Sequence, residues 1–173
     1  RGDRVRIRLG NLGPMDHHPI HIHGHAFAVV ATDGGPVPRG AQRPETTVLV
    51  PVGTTRTLEL RADALGDWPF HCHMTHHTMN QMGHEAGNLI GADVGEAARA
   101  VGEAIPGYMA MGQTGMADMG AMGMPLPQNS VSMKGGPGPF GTIDMGGMFT
   151  VLKIRERLSP GTKDPGWYVH PKG

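Results

Sequence analysis

The sequence predicts an all-β chain folded as an antiparallel β-sandwich. Three observations carry that prediction. Val5, Ile7 and Leu9 interleave with Arg4, Arg6 and Arg8, the period of a strand with one buried face. Further short apolar runs are separated by clusters of glycine and proline, which mark turns. Only one short stretch, 94–104 (VGEAARAVGEA), has the composition of a helix.

The elements follow in order. After the first strand, Asn11 to Pro14 has turn chemistry. Residues 20–30 (IHIHGHAFAVV) read as a second strand interrupted by Gly24, which predicts a bulge or a close backbone approach. Residues 33–44 hold Gly34, Gly35, Pro36, Pro38, Gly40 and Pro44 and read as a loop. Thr46 to Val50 and Thr55 to Arg61 form two more strands, the latter with Leu58 and Leu60 facing inward. Trp68 to His73 forms a fifth strand and Phe149 to Ile154 a last one. Residues 105–148 carry nine of the 13 methionines with many glycines and prolines. Such a composition buries too little apolar surface to offset chain ordering, so a long loop or disordered insertion is expected there. Residues 159–173 (SPGTKDPGWYVHPKG) read as an extended surface tail. The 173 residues thus form one domain over 1–158, insertion included, plus that tail.

Composition excludes several classes. Fifteen basic residues balance 15 acidic ones, so net charge implies no nucleic acid or anionic membrane as partner. No apolar run reaches the ~18 residues of a spanning helix. The single cysteine excludes an internal disulfide framework and a cysteine-rich zinc fold. The first residue is Arg1 and no charged-then-apolar leader follows it, so the chain is expected to be a piece of a longer protein.

The chemistry lies in the histidines. Ten of the 11 fall in two windows, 17–25 and 71–84. A lone histidine is most often a surface or core residue without a ligand role, but two such clusters together are a metal signature. Strand geometry sorts them. Side chains alternate faces along a strand, so His71 and His73 point to one side and Cys72 to the other. His21 and His23 share a face, and His18 lies on the opposite one. Two sites are therefore expected: one gathering His18 and Cys72, the other gathering His21, His23, His71 and His73. A thiolate with imidazoles and a thioether selects copper, as in blue copper centres with two histidines, one cysteine and a weak axial methionine. A loop leaving the strand can return His77 or His76, and Met82 or Met79, to the first site; spacing alone leaves both pairs open. Zinc suits a lone cysteine with many histidines and a methionine less well.

The strings HPIHIHGHAF (18–27) and HCHMTHHTMNQM (71–82) resemble the two C-terminal copper signatures of multicopper oxidases, the family of laccases, bilirubin oxidases and copper-efflux oxidases. The resemblance covers the 18–82 stretch, with both motifs in the family's order. It implies a cupredoxin-like (plastocyanin-like) Greek-key sandwich with a Met/Gly-rich insertion. It implies that His18, Cys72, His77 and Met82 hold a mononuclear blue copper. It further implies that His21 binds the type-2 copper of a trinuclear cluster, and that His23, His71 and His73 bind its type-3 pair. By the same resemblance, electrons from a small reducing substrate, a phenol or a metal ion, enter at His77 and pass through Cys72. Dioxygen is the acceptor and is reduced to water. The family's cluster uses four His-x-His pairs, of which only 21/23 and 71/73 stand here in register. The chain thus looks like the last domain, with half a trinuclear site. Its implied partner is an N-terminal cupredoxin domain, on the same chain or another subunit. His25 overlaps the first pair at a position usually not a ligand, and His17, His76, His84 and His170 read as surface or supporting residues. Many relatives carry an acidic residue where Thr78 stands. A copper nitrite reductase replaces the second histidine of the triplet, which His73 argues against. A one-copper electron carrier leaves four in-register histidines unexplained.

Residues 109–124 (MAMGQTGMADMGAMGM) place six methionines in 16 positions. Thioethers bind Cu(I), and met-rich insertions of some copper-efflux oxidases resemble this stretch; a flexible, biased loop is the plainer reading. The contrasting function is a non-catalytic copper-tolerance protein that stores or sequesters copper. Copper use and the resemblance favour a periplasmic or secreted location.

Overall fold

A computed structural model describes residues 1–78, 95–105, 130–132 and 135–172. These divide into two compact units, one of Arg1–Met74 with Thr150–Gly173, the other of Thr75–Phe149.

The first unit is built of two antiparallel sheets. β1 (Arg4–Gly10) lies against β7 (Thr55–Arg61), with Ile7 opposite Leu58. β7 pairs in turn with β3 (Phe27–Thr32), and two short bridges, β4 (Gly35–Pro36) and β5 (Pro44–Glu45), line the far edge of β3. The second sheet runs β11–β8–β2–β6, with β2 His18–Ile22, β6 Thr47–Val50, β8 Gly66–Cys72 and β11 Phe149–Ile154. Alternation explains why they stack. Val5, Ile7 and Leu9 of β1, Leu58 and Leu60 of β7, Phe27 and Val29 of β3 all turn inward. They meet Ile20 and Ile22 of β2, Val48 and Val50 of β6 and Cys72 of β8 in one core. Each fully buried aliphatic chain there contributes about 1.5–3 kcal/mol.

The structure divides the run 20–30 differently from the sequence reading. β2 and β3 belong to different sheets, and Gly24 sits at the crossing with φ +68°. A Cβ on Gly24 would lie 2.2 Å from the Trp68 ring, so only glycine lets the chain turn across that indole. The expected interruption is a change of sheet. In β3 a bulge between Val29 and Ala31 re-registers the strand against β7. β8 ends at Cys72, leaving His73 just beyond it; the His73 amide still donates to the Pro19 carbonyl at 2.7 Å. The 33–44 loop carries the two bridges and a single 3-10 turn, Arg39–Ala41.

The tail has neither helix nor strand and is clamped. Arg155 pairs with Asp67 at 2.7 Å and also donates to the carbonyls of Gly66 and Gly166. The Tyr168 amide donates to the other Asp67 oxygen at 2.6 Å, and Lys153 pairs with Asp164 beneath the Trp167 ring.

The second unit, by itself, holds a helical turn, α1 (Thr75–Thr78), a helix α2 (Gly95–Ala104) and a hairpin of β9 (Gly136–Gly138) with β10 (Gly141–Ile143). The helix falls where the sequence placed one. The hairpin lies within 105–148, the stretch expected to be a long loop or disordered insertion: Gly138 and Gly141 flank the turn at Pro139 and Phe140. The methionine stretch 109–124 lies outside the described residues.

Candidate metal centre

β2 and β8 are neighbours in one sheet, and their register sets the site. Ile20 stands opposite Cys72, His21 opposite His71, and Ile22 opposite Phe70. Because side chains alternate, one face of this strand pair is sulfur and hydrocarbon and the other is imidazole.

On the inward face, Cys72 is fully buried. Its Sγ lies 3.8 Å from Nδ1 of His18, and the Met74 amide donates to the sulfur at 3.5 Å. Burial holds the thiol above its ordinary pKa, the Met74 amide opposes that, and the Asp16 carboxylate adds to it.

On the outward face, four imidazoles converge. The rings of His21 and His23 are 4.8 Å apart, His23 and His71 5.2 Å, His21 and His73 5.5 Å, and His71 and His73 5.7 Å. Ligand nitrogens of His21, His23 and His71 all lie within 4.8 Å of one another. Hydrogen bonds orient two of these rings. Nδ1 of His71 is 2.7 Å from the Cys72 carbonyl, and Nδ1 of His21 is 2.8 Å from the Thr46 carbonyl and from Thr47 Oγ1. A carbonyl only accepts, so each Nδ1 carries the proton and each Nε2 keeps its lone pair, the arrangement of metal-binding histidines. Nε2 of His23 and Nε2 of His71 lie 3.0 Å apart. Two nitrogens each about 2.0–2.1 Å from one ion stand at about that separation. Burial lowers the pKa of both His23 and His71; the neighbouring histidines lower it further, while the Cys72 carbonyl bond opposes this for His71. The rings are thereby held neutral, the form that binds metal. Thiolate and imidazole together are a donor set that fits copper.

The sequence-chosen residues are thus placed as follows. His18 and Cys72 come together on one face, and His21, His23, His71 and His73 on the other. His77 stands in α1 of the second unit, half-buried, its carbonyl accepting from the Met148 amide at 3.0 Å. Met82, like Met79 and His84, lies outside the described residues. His25 is buried edge-on to Trp68 at 5.4 Å, accepts weakly from the Ala64 amide at 3.4 Å, and lies 3.6 Å from the Asp63 carboxylate. His17 accepts from the Val52 amide at 3.0 Å, a structural bond. Sequence reasoning missed the supporting groups: the carbonyls of Thr46 and Cys72, Thr47 Oγ1 and the Met74 amide. Backbone groups carry no residue signal, and Thr47 meets His21 only through the β2–β6 register.

Comparison with known proteins places the chain among its relatives. A family model described as multicopper oxidase matches residues 1–88. Copper resistance protein A of Escherichia coli is 41% identical over 76 residues, 44% of this chain and 12% of that protein. Multicopper oxidase MmcO of Mycobacterium tuberculosis is 38% identical over 81 residues, 47% of this chain and 15% of that protein. Among solved structures, the blue copper oxidase from Nitrosomonas europaea is 35% identical, with a TM-score of 0.42, covering 45% of this chain and 24% of that one. The chain thus spans well under a quarter of the length of these two curated relatives. With half of its residues under the family model and a copper donor set on two faces of one strand pair, the chain belongs to the multicopper oxidase family.

Proposed function

We propose that this chain is the C-terminal copper domain of a multicopper oxidase, contributing a blue copper site and half of a trinuclear site. His18, Cys72, His77 and Met82 would hold the first copper, His21 a type-2 ion, and His23, His71 and His73 the type-3 pair. Bound copper supplies one-electron chemistry, with a phenol or metal ion as reductant and dioxygen as the acceptor reduced to water.

One observation carries the reading: Cys72 faces the core beside His18, while His71, the next residue, turns its ring into the imidazole cluster. One peptide bond on either side joins Cys72 to His71 and to His73, so the two donor groups are linked through very few covalent bonds. The rest of the chain's work is preparation. The Met74 amide stabilises the Cys72 thiolate once its proton is lost. The carbonyls of Thr46 and Cys72 fix the tautomers of His21 and His71. The core around Cys72 keeps water from the sulfur.

Two His-x-His pairs do not complete a cluster that needs four, so another cupredoxin domain, on the same chain or another subunit, supplies the remainder. A periplasmic or secreted location accords with this use of copper. The test is Cys72→Ser in the full-length protein. The expected result is loss of the intense blue absorption and of oxidase activity; a surviving blue band overturns the assignment. Copper stoichiometry separates the storage alternative, because storage gives variable loading and an oxidase gives four coppers per complete site.

A further inference from the structure

The outward face of the sheet built on β1, β7 and β3 carries an uneven charge distribution. Net charge is zero over the chain, yet cations are segregated. Arg4, Arg6 and Arg8 of β1, Arg61 of β7, and Arg39 and Arg43 of the 33–44 loop line one trough of about 1160 Å³. That is six of the chain's 15 basic residues in one place. Its lining holds one carboxylate, Glu59, which pairs with Arg4 and with Arg6 at 2.8 Å. These two guanidinium groups hold the Glu59 pKa below its ordinary value. Glu45, beside the trough, pairs with Arg43 at 2.8 Å. No ion pair of Arg8, Arg39 or Arg61 occurs among the described residues. Arg4 and Arg61 stand directly opposite in the β1–β7 register, a like-charge juxtaposition that destabilises a sheet.

Several small side chains are among its lining residues. Ala28, Ala31 and Thr57 lie between the arginine rims, and the bulge in β3 turns Val30 to the same side. Small side chains at these positions leave room for an extended backbone. Successive outward residues of a strand repeat at about 6.6–6.8 Å, so Arg4, Arg6 and Arg8 form a row with that spacing. Acidic side chains at alternate positions of an extended peptide repeat at the same distance, and each guanidinium offers a two-pronged donor for a carboxylate.

Other anionic partners fit less well. The lining's single aromatic residue, Phe27, is buried, so no platform stacks nucleic-acid bases. None of the exposed large apolar residues lines the trough, so nothing there inserts into a bilayer. The row from Arg4 to Arg8 is about 13 Å long, more than a small anion occupies.

We infer that this trough is a docking site for an extended acidic polypeptide segment with carboxylates at alternate residues. Arg8 and Arg61, without an ion pair among the described residues, supply guanidinium groups for it, and Arg4 and Arg6 are partly neutralised by Glu59. The inference is independent of the copper assignment, because the trough lies on the sheet that carries none of the proposed ligands.

The experiment titrates the full-length protein, by fluorescence anisotropy at low salt, with a labelled peptide alternating aspartate and serine. The comparison probes are a peptide of the same composition with its aspartates in one block, an oligothymidylate, and vesicles containing phosphatidylglycerol. The expected result is preference for the alternating peptide, weakened by salt, and about tenfold weaker binding by Arg8→Gln/Arg61→Gln. Among the described residues neither arginine has an ion pair to lose, and an unchanged urea midpoint in that variant shows the fold intact. No binding, equal binding of the blocked peptide, tighter binding of the oligothymidylate or the vesicles, or an unaffected double variant each overturns the inference.

Discussion

Cys72 and Gly24 show how single residues set this architecture. Cys72 occupies a core position that alternation along β8 dictates, yet it lies beside an imidazole. Gly24 is required twice over, by its positive φ and by the Trp68 ring pressed against it. Gly24→Ala is therefore expected to cost about 2–4 kcal/mol, combining overpacking with left-handed strain. Gly34→Ala, also at positive φ but with open space around it, is expected to cost about 1 kcal/mol. Urea denaturation of both variants checks the pair; equal losses show that the Trp68 contact contributes nothing. Histidine clustering and the cysteine's place between two histidines were legible at this scale. The tautomers were not, because carbonyl partners such as Thr46 and Cys72 are set by strand pairing.

Strand periods are the most legible elements. β7 occupies the expected residues, and β1 extends the alternating run by one residue at its end. The 20–30 run was legible as extended structure but not as two strands in two sheets, since a break in periodicity does not say where the chain goes next. The tail's attachment was equally hidden, because it depends on Arg155 meeting Asp67 across 88 positions of sequence. Both partners are largely shielded from water, so removing one leaves a poorly solvated charge. Arg155→Ala is expected to cost about 2–3 kcal/mol and to strip hydrogen-exchange protection from the Tyr168 amide. Retained protection at Tyr168 means the tail is held by its ring and backbone contacts instead.

At the scale of the molecule, the imidazole cluster couples stability to pH. His23 and His71 have folded pKa values below the ordinary 6.5. Above that value both folded and unfolded chains are neutral at these positions, and the contribution is present in full. As pH falls below 6.5, the unfolded chain takes up protons that the folded cluster resists, and stability is lost down through the lower folded values. Protein stripped of copper by chelation is expected to show a lower urea midpoint at about pH 5.5 than at about pH 7.5. The double variant His23→Gln/His71→Gln should show a smaller drop; an equal drop places the dependence on other groups. Protons compete with copper for the same lone pairs, so copper retention should weaken over that range.

Strand periods, donor types and the opposed faces of Cys72 and its flanking histidines are legible in the order of residues. Those follow from local geometry: a two-residue repeat fixes which side chains share a side, whatever lies across from them. The β2–β8 register that sets His21 opposite His71, and the trough that gathers six arginines of β1, β7 and the 33–44 loop, come from long-range contacts. Such meetings depend on long-range pairing and core burial, and no short stretch of sequence encodes its partner across the sheet.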